Sequence, residues 1–232
     1  MVFILSEGIN LLPILLAAVA LVAVPFISKV AEWMATLVHE VGHGIIAIPF
    51  GGRTSIKVAS DGSGSADTEY SDSLLFKPVR IFSLLMGYAF PIYVGIALLI
   101  SAYYNMPIIG AWILGVIGVI LIFSIRNIFG FLLVLGYSAA FFVFFIMNNF
   151  LDDMAFVIFM GIVFLIRGIM DFIFVAPLVF GEDNDEAETD FHILQEEALL
   201  PPQFWYVFFV LLHGGIIFFF LTNVFPISFA WA

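Results

Sequence analysis

An all-α polytopic membrane protein is the fold class this sequence predicts, and three observations carry it. Of its 232 residues, 63% are hydrophobic and 11% charged, whereas about a quarter of residues are charged in ordinary soluble domains. Mean hydropathy is +1.18, and so short a chain cannot hide that much apolar surface in a core of its own, which leaves lipid as the solvent. The apolar runs are long and continuous rather than alternating every second residue, so backbone groups in lipid are satisfied within helices and not around a barrel.

At about 20 apolar residues per crossing, seven segments are expected, roughly at 10–28, 31–50, 80–103, 107–125, 128–147, 154–180 and 203–223. They form a single domain over residues 1–232. The first run follows MVFILSEGIN, which lacks a basic leader and enters an apolar stretch too long for a cleavable signal, so the segment is expected to be retained. The very short link to the second run predicts an antiparallel helical hairpin. After the second comes GGRTSIKVASDGSGSADTEYSDS, where TSIKVAS alternates as a short strand does and DGSGSAD reads as a turn. No internal repeat is visible.

With the N-terminus inside, the loops after the second, fourth and sixth runs carry Arg53, Lys57, Lys77, Arg80 and Arg126, against Lys29 alone on the other side. The positive-inside rule then predicts a cytoplasmic N-terminus and a cytoplasmic active-site side. The chain contains no cysteine, which excludes disulfides and thiolate metal sites. Net charge is −11, but eight of the 18 acidic residues lie between Glu182 and Glu197, and the remainder of the chain is close to −3. A weakly charged membrane body with one acidic loop gives no reason to expect nucleic acid as a partner.

Within the second run stands LVHEVGHGI. His39 and His43 lie one helical turn apart, so both imidazoles project from one face and can grip one tetrahedral metal ion. Glu40, beside the first histidine, is placed to deprotonate a water activated by that ion. This is the H-E-x-x-H pattern of zinc hydrolases. Ionisable groups in a span cost roughly 2.5–3.5 kcal/mol each on insertion scales, so three within five residues read as function rather than packing. The plain alternative is a polar helix face with two neutral histidines hydrogen-bonded at a helix contact.

LVHEVGHGIIAIPFGGRTSIKV resembles the start of the site-2 protease-like intramembrane metalloproteases, in particular their small peptidase M50B-like branch. Further pieces agree in order: DGSG after the strand-like segment, GYAFPIYVG in the third run, RNIFG opening the fifth, and DFHILQEEALLPPQFW, where Asp190 is followed by Leu194 and Pro201. The sequence departs from the branch in having Thr189, Asp190 and Phe191 where Ser-Asp-Ala is usual, and it lacks the Pro-rich Leu-Asp-Gly motif of other site-2 proteases. The resemblance implies an intramembrane zinc endopeptidase acting on transmembrane protein substrates.

A catalytic zinc takes three protein ligands and leaves a fourth position open. The HEVGH helix runs toward the loop containing Arg53, so the third ligand must come from that side. The resemblance implies Asp190, which requires the sixth loop to dip back into the protein. Asp171, near the end of the sixth run at a comparable depth, is the other candidate, with Arg167 one turn earlier as an ion-pair partner. Asn127 is a candidate to steady substrate or to cap a helix. His192 reads as a solvated loop histidine and His213 as an interhelical hydrogen-bonding group. TSIKVAS, as an edge strand beside the site, would take up an extended substrate by strand addition. Two other functions stay open: a divalent-metal transporter, for which the outer half offers only His213, Asp152 and Asp153, and a catalytically silent membrane scaffold.

Overall fold

The computed structural model describes residues 11–50, 52–69, 76–146, 150–181 and 189–224. Met1–Asn10, on which the retained N-terminus rests, and residues 182–188, most of the acidic run, lie outside them. The elements in order are α1 (Leu11–Ala23), α2 (Pro25–Ala47), β1 (Arg53–Val58), β2 (Gly64–Glu69), α3 (Lys77–Tyr103), α4 (Pro107–Ser124), α5 (Ile128–Ile146), α6 (Phe150–Phe180), α7 (Asp190–Ala198) and α8 (Pro202–Phe219).

The first two helices differ from the expected hairpin. Val24 is extended (φ −79°, ψ 118°) and Pro25 opens α2, because a proline ring pushes the preceding residue out of the helical region and lacks an N–H to continue the ladder. The two helices meet at a bend of 88°. With 13 residues, α1 rises only about 20 Å, short of the roughly 30 Å hydrocarbon core. Among the described residues four helices, α3, α4, α6 and α8, are long and apolar enough to cross a bilayer, or five spans if the bent pair is one. The protein is therefore a helical membrane protein, and its described residues offer fewer candidate spans than the seven apolar runs suggested: the first two runs form a bent pair and the fifth a shorter apolar helix.

At the centre stands α3, packed against α2 and α6 and touching α4 and α7. Small residues allow the approach: a methyl group on Gly95 would meet Leu165 N at 2.7 Å and Gly161 O at 2.8 Å. Without a hydrophobic drive between helices in lipid, such close backbone contact supplies much of the association. Large apolar side chains such as Phe123 and Leu211, each 72% exposed, face outward, the arrangement expected where lipid covers them.

The β1–β2 hairpin pairs antiparallel, from Arg53 opposite Glu69 to Val58 opposite Gly64. It lies back along α2. Gly44 faces Thr54, Glu40 faces Gly64, Thr36 Oγ1 donates to Gly62 O at 2.9 Å, and Lys29 Nζ donates to Asp61 O at 2.7 Å. The span from Gly44 to Lys29 is about 22 Å of helix. Gly62 turns the tip at φ +102°, and a side chain there would collide with Glu32. Extended backbone so placed beside a membrane helix is tolerated where protein shields it or a polar cavity is lined by it; here Ile56 and Val58 are fully buried.

TSIKVAS is not the edge strand. Besides β2, β1 has a parallel bridge from Ile56 to Ile125, with Arg126 N donating to Ile56 O at 2.9 Å. Asn127 extends this contact, its Nδ2 donating to Val58 O at 2.6 Å and its Oδ1 accepting from Val58 N at 3.3 Å. Among the described residues, the strand left with an open side is β2.

The stretch expected as one acidic loop contains helix α7, whose Phe191 and Leu194 are buried. It packs on α3 and α8. Glu197 receives a hydrogen bond from Arg80 at 3.2 Å.

Candidate metal centre

Three residues from two elements remote in sequence converge on one point. His39 and His43 come from consecutive turns of α2, and Asp190 is the first residue of α7. His39 Nε2 lies 3.2 Å and His43 Nε2 3.4 Å from Asp190 Oδ2. The two Nε2 atoms are 3.1 Å apart. A tetrahedral zinc with bonds of about 2.0–2.1 Å sets its ligand atoms about 3.3–3.4 Å apart, so this triangle has the dimensions of one face of such a site.

The surroundings of each donor fit the same use. His43 Nδ1 donates to Ser83 O at 2.9 Å, and Ser83 Oγ donates back to His43 O at 2.8 Å. With its proton held at Nδ1, the ring presents a lone pair at Nε2, the usual outer-shell arrangement for a metal-binding histidine. Asp190 Oδ2 is buried and, among the described residues, has no hydrogen-bond donor in good geometry. Burial raises the Asp190 carboxyl, yet the adjacent His43 and His39 outweigh it and hold the group well below the usual carboxylate range. Two imidazoles and a carboxylate, with no thiolate, match the donor sets of catalytic zinc.

Gly87 of α3 closes one side. A side chain there would meet His43 Cε1 and Nε2 at 2.5 Å and His39 Nε2 at 2.8 Å. Next to it, Tyr88 packs edge-on to His39 at 4.7 Å and stacks on Phe191 at 5.1 Å, thereby touching one donor and the chain neighbour of another. Thr189 precedes Asp190 as the cap of α7, and its Oγ1 lies 2.8 Å from His192 Nδ1. His192 is therefore not a solvated loop histidine but part of the turn that presents Asp190.

The triad opens on a cavity of about 1140 Å³ bounded by α2, β2, α3, α6 and α7. Glu40 lines it, buried, with its carboxylate against Gly64 at the start of β2. Asp171 lines the same cavity but is bound by Arg167 Nη2 at 3.0 Å. It is not one of the three converging groups. Asn127 points elsewhere, its amide occupied by Val58. His213 makes an interhelical hydrogen bond with Tyr93 Oη at 2.8 Å, while its Nδ1 donates to Phe209 O at 2.9 Å.

Sequence reasoning passed over Ser83, Gly87, Tyr88 and Gly64. The only signal for the middle pair was GYAFPIYVG, read as a helix fragment. Residues 12–220 match a family described as Peptidase M50B-like. No curated protein and no solved structure matches the chain.

Proposed function

Because the chain belongs to the Peptidase M50B-like family, we propose that it is an intramembrane zinc endopeptidase that cuts peptide bonds of membrane-spanning proteins. The observation that carries this reading is the triangle of His39, His43 and Asp190 donor atoms, facing a cavity that Glu40 also lines. A zinc ion held by these three residues would acidify a water and polarise a carbonyl group.

Glu40 takes a proton from the attacking water as its oxygen adds to the carbonyl carbon. The same carboxyl returns the proton to the leaving amide nitrogen as the C–N bond breaks, releasing a carboxylate and an amine. A transmembrane helix hides its carbonyls in hydrogen bonds, so the substrate has to be unwound locally. The open side of β2 can hold such an extended segment by backbone hydrogen bonds, and Glu40 sits against the first residue of that strand. The basic residues Arg53, Arg80 and Arg126 support a cytoplasmic active-site side.

Zinc content and cleavage of a membrane-spanning substrate, measured side by side, test this. Wild type is expected to hold about one zinc per chain, as a single His2Asp site requires. Asp190→Ala should lose it and Asp171→Ala keep it. Glu40→Gln should keep the metal and lose turnover by several orders of magnitude. Zinc retained by Asp190→Ala would remove that residue from the site. Turnover undiminished in Glu40→Gln would remove the assigned base, and zinc without cleavage in wild type would favour the silent scaffold. Metal flux in vesicles would instead favour a transporter.

A further inference from the structure

Water addition to a peptide carbonyl puts negative charge on its oxygen, and hydrolytic sites gain much of their rate from a fixed donor aimed at that oxygen. None of the residues assigned so far is such a donor: Glu40 accepts a proton, and His43 already gives its Nδ1 proton to Ser83 O. Asn127, the sequence's own candidate, is spent on Val58.

The cavity wall offers Tyr88. Its ring is clamped on three sides, edge-on to His39 at 4.7 Å, stacked on Phe191 at 5.1 Å with an interplanar angle of 6°, and edge-on to Phe172 at 5.6 Å. Tyr88 lines the same cavity as Asp190, Asp171 and Glu40, yet among the described residues its hydroxyl makes no hydrogen bond. A phenol held by three aromatic contacts, with no hydrogen-bond partner among the described residues and beside a cavity that three carboxylates also line, is a donor held in place at no cost of reorganisation.

Resting on the protease reading, we propose that Tyr88 is a further catalytic residue, whose O–H donates a hydrogen bond to the substrate carbonyl oxygen as the water oxygen bonds to carbon and the C=O π electrons move onto that oxygen. The phenol proton stays on Tyr88. The only proton transferred moves from water to Glu40 and on to the amide nitrogen. Arg167 is a competing donor: its Nη2 is given to Asp171, while its buried Nε has no partner among the described residues. Tyr88 is favoured because it packs directly on His39 of the triad.

Tyr88→Phe retains the ring and its three aromatic contacts, so the fold and the orientation of His39 are preserved. The zinc-loaded protein in detergent is titrated with a short apolar phosphinic peptide, whose anionic tetrahedral centre mimics the adduct, and with the amide peptide of the same sequence. Tyr88→Phe is expected to bind the phosphinic peptide at least 10-fold more weakly, with unchanged amide-peptide affinity and zinc content. Its kcat should fall roughly 10²-fold at constant KM, the range for loss of one such donor. Equal phosphinic affinity in the two proteins overturns the assignment while leaving the protease reading intact. Loss of zinc in Tyr88→Phe overturns it too, making Tyr88 a positioning residue for His39. A wild type that neither cleaves nor binds the phosphinic peptide overturns the protease reading and Tyr88's role with it.

Discussion

His43 shows how one residue of the site is specified from several directions. Its ring Nδ1 donates to Ser83 O and its backbone carbonyl accepts from Ser83 Oγ, while the absence of a side chain at Gly87 leaves space for both imidazoles. Neither contact is visible in HEVGH itself, because Ser83 and Gly87 belong to α3 and meet α2 only through helix packing. Gly87→Ala is therefore expected to leave helix content unchanged by circular dichroism while lowering zinc affinity about 10- to 100-fold, the range for disturbed outer-shell contacts. Zinc affinity equal to wild type would show that the rings can shift without losing their convergence. Asp190 is a different case: its place depends on the Thr189 and His192 turn and on Phe191 stacked against Tyr88. Local spacing brought out the two histidines and the glutamate, since a helix sets their geometry within one turn. For the carboxylate the residues alone left Asp171 and Asp190 both open, and the pairing of Asp171 with Arg167 was legible only because it too is an i,i+4 contact.

At the scale of elements, the hairpin was half legible. Alternation in TSIKVAS and the DGSG turn located a strand and its end, but alternation does not say which neighbours a strand acquires. Ile125 and Asn127 cover one side of β1 and make it an inner strand, leaving β2, a polar segment with little strand signal, along the cavity. Prolines placed in turn at Ser65 and Ala66 remove neighbouring backbone N–H groups that point to opposite sides of β2. One of the two is expected to disrupt the hairpin; the other should retain zinc and lose most cleavage. If both keep full cleavage with zinc bound, β2 does not carry the substrate. The α1–α2 break has the opposite lesson. Pro25 was in plain view, yet the apolar runs on either side disguised a 13-residue helix bent against a 23-residue one, together at most one candidate span, as two spans.

For the molecule as a whole, the arrangement around α3 predicts a sidedness that can be measured without background, because the chain has no native cysteine. The α4 helix separates Tyr104, at the end of α3, from Ile128, at the start of α5 beside Arg126. Single cysteines at these two positions should be labelled by a membrane-impermeant thiol reagent from opposite sides, with Ile128→Cys on the cytoplasmic side as its basic neighbour requires. Labelling of both from one side would mean that α4 does not cross. By itself the sequence determined the membrane class, the helical character and the shared helix face of His39, Glu40 and His43 that the proposed chemistry uses, because hydropathy is summed locally and helical spacing acts within one turn. Only the tertiary structure decided which carboxylate meets the two imidazoles, which strand is left open to the cavity and how many helices are long enough to cross, because these depend on packing between segments far apart in the chain and on bends that composition does not record.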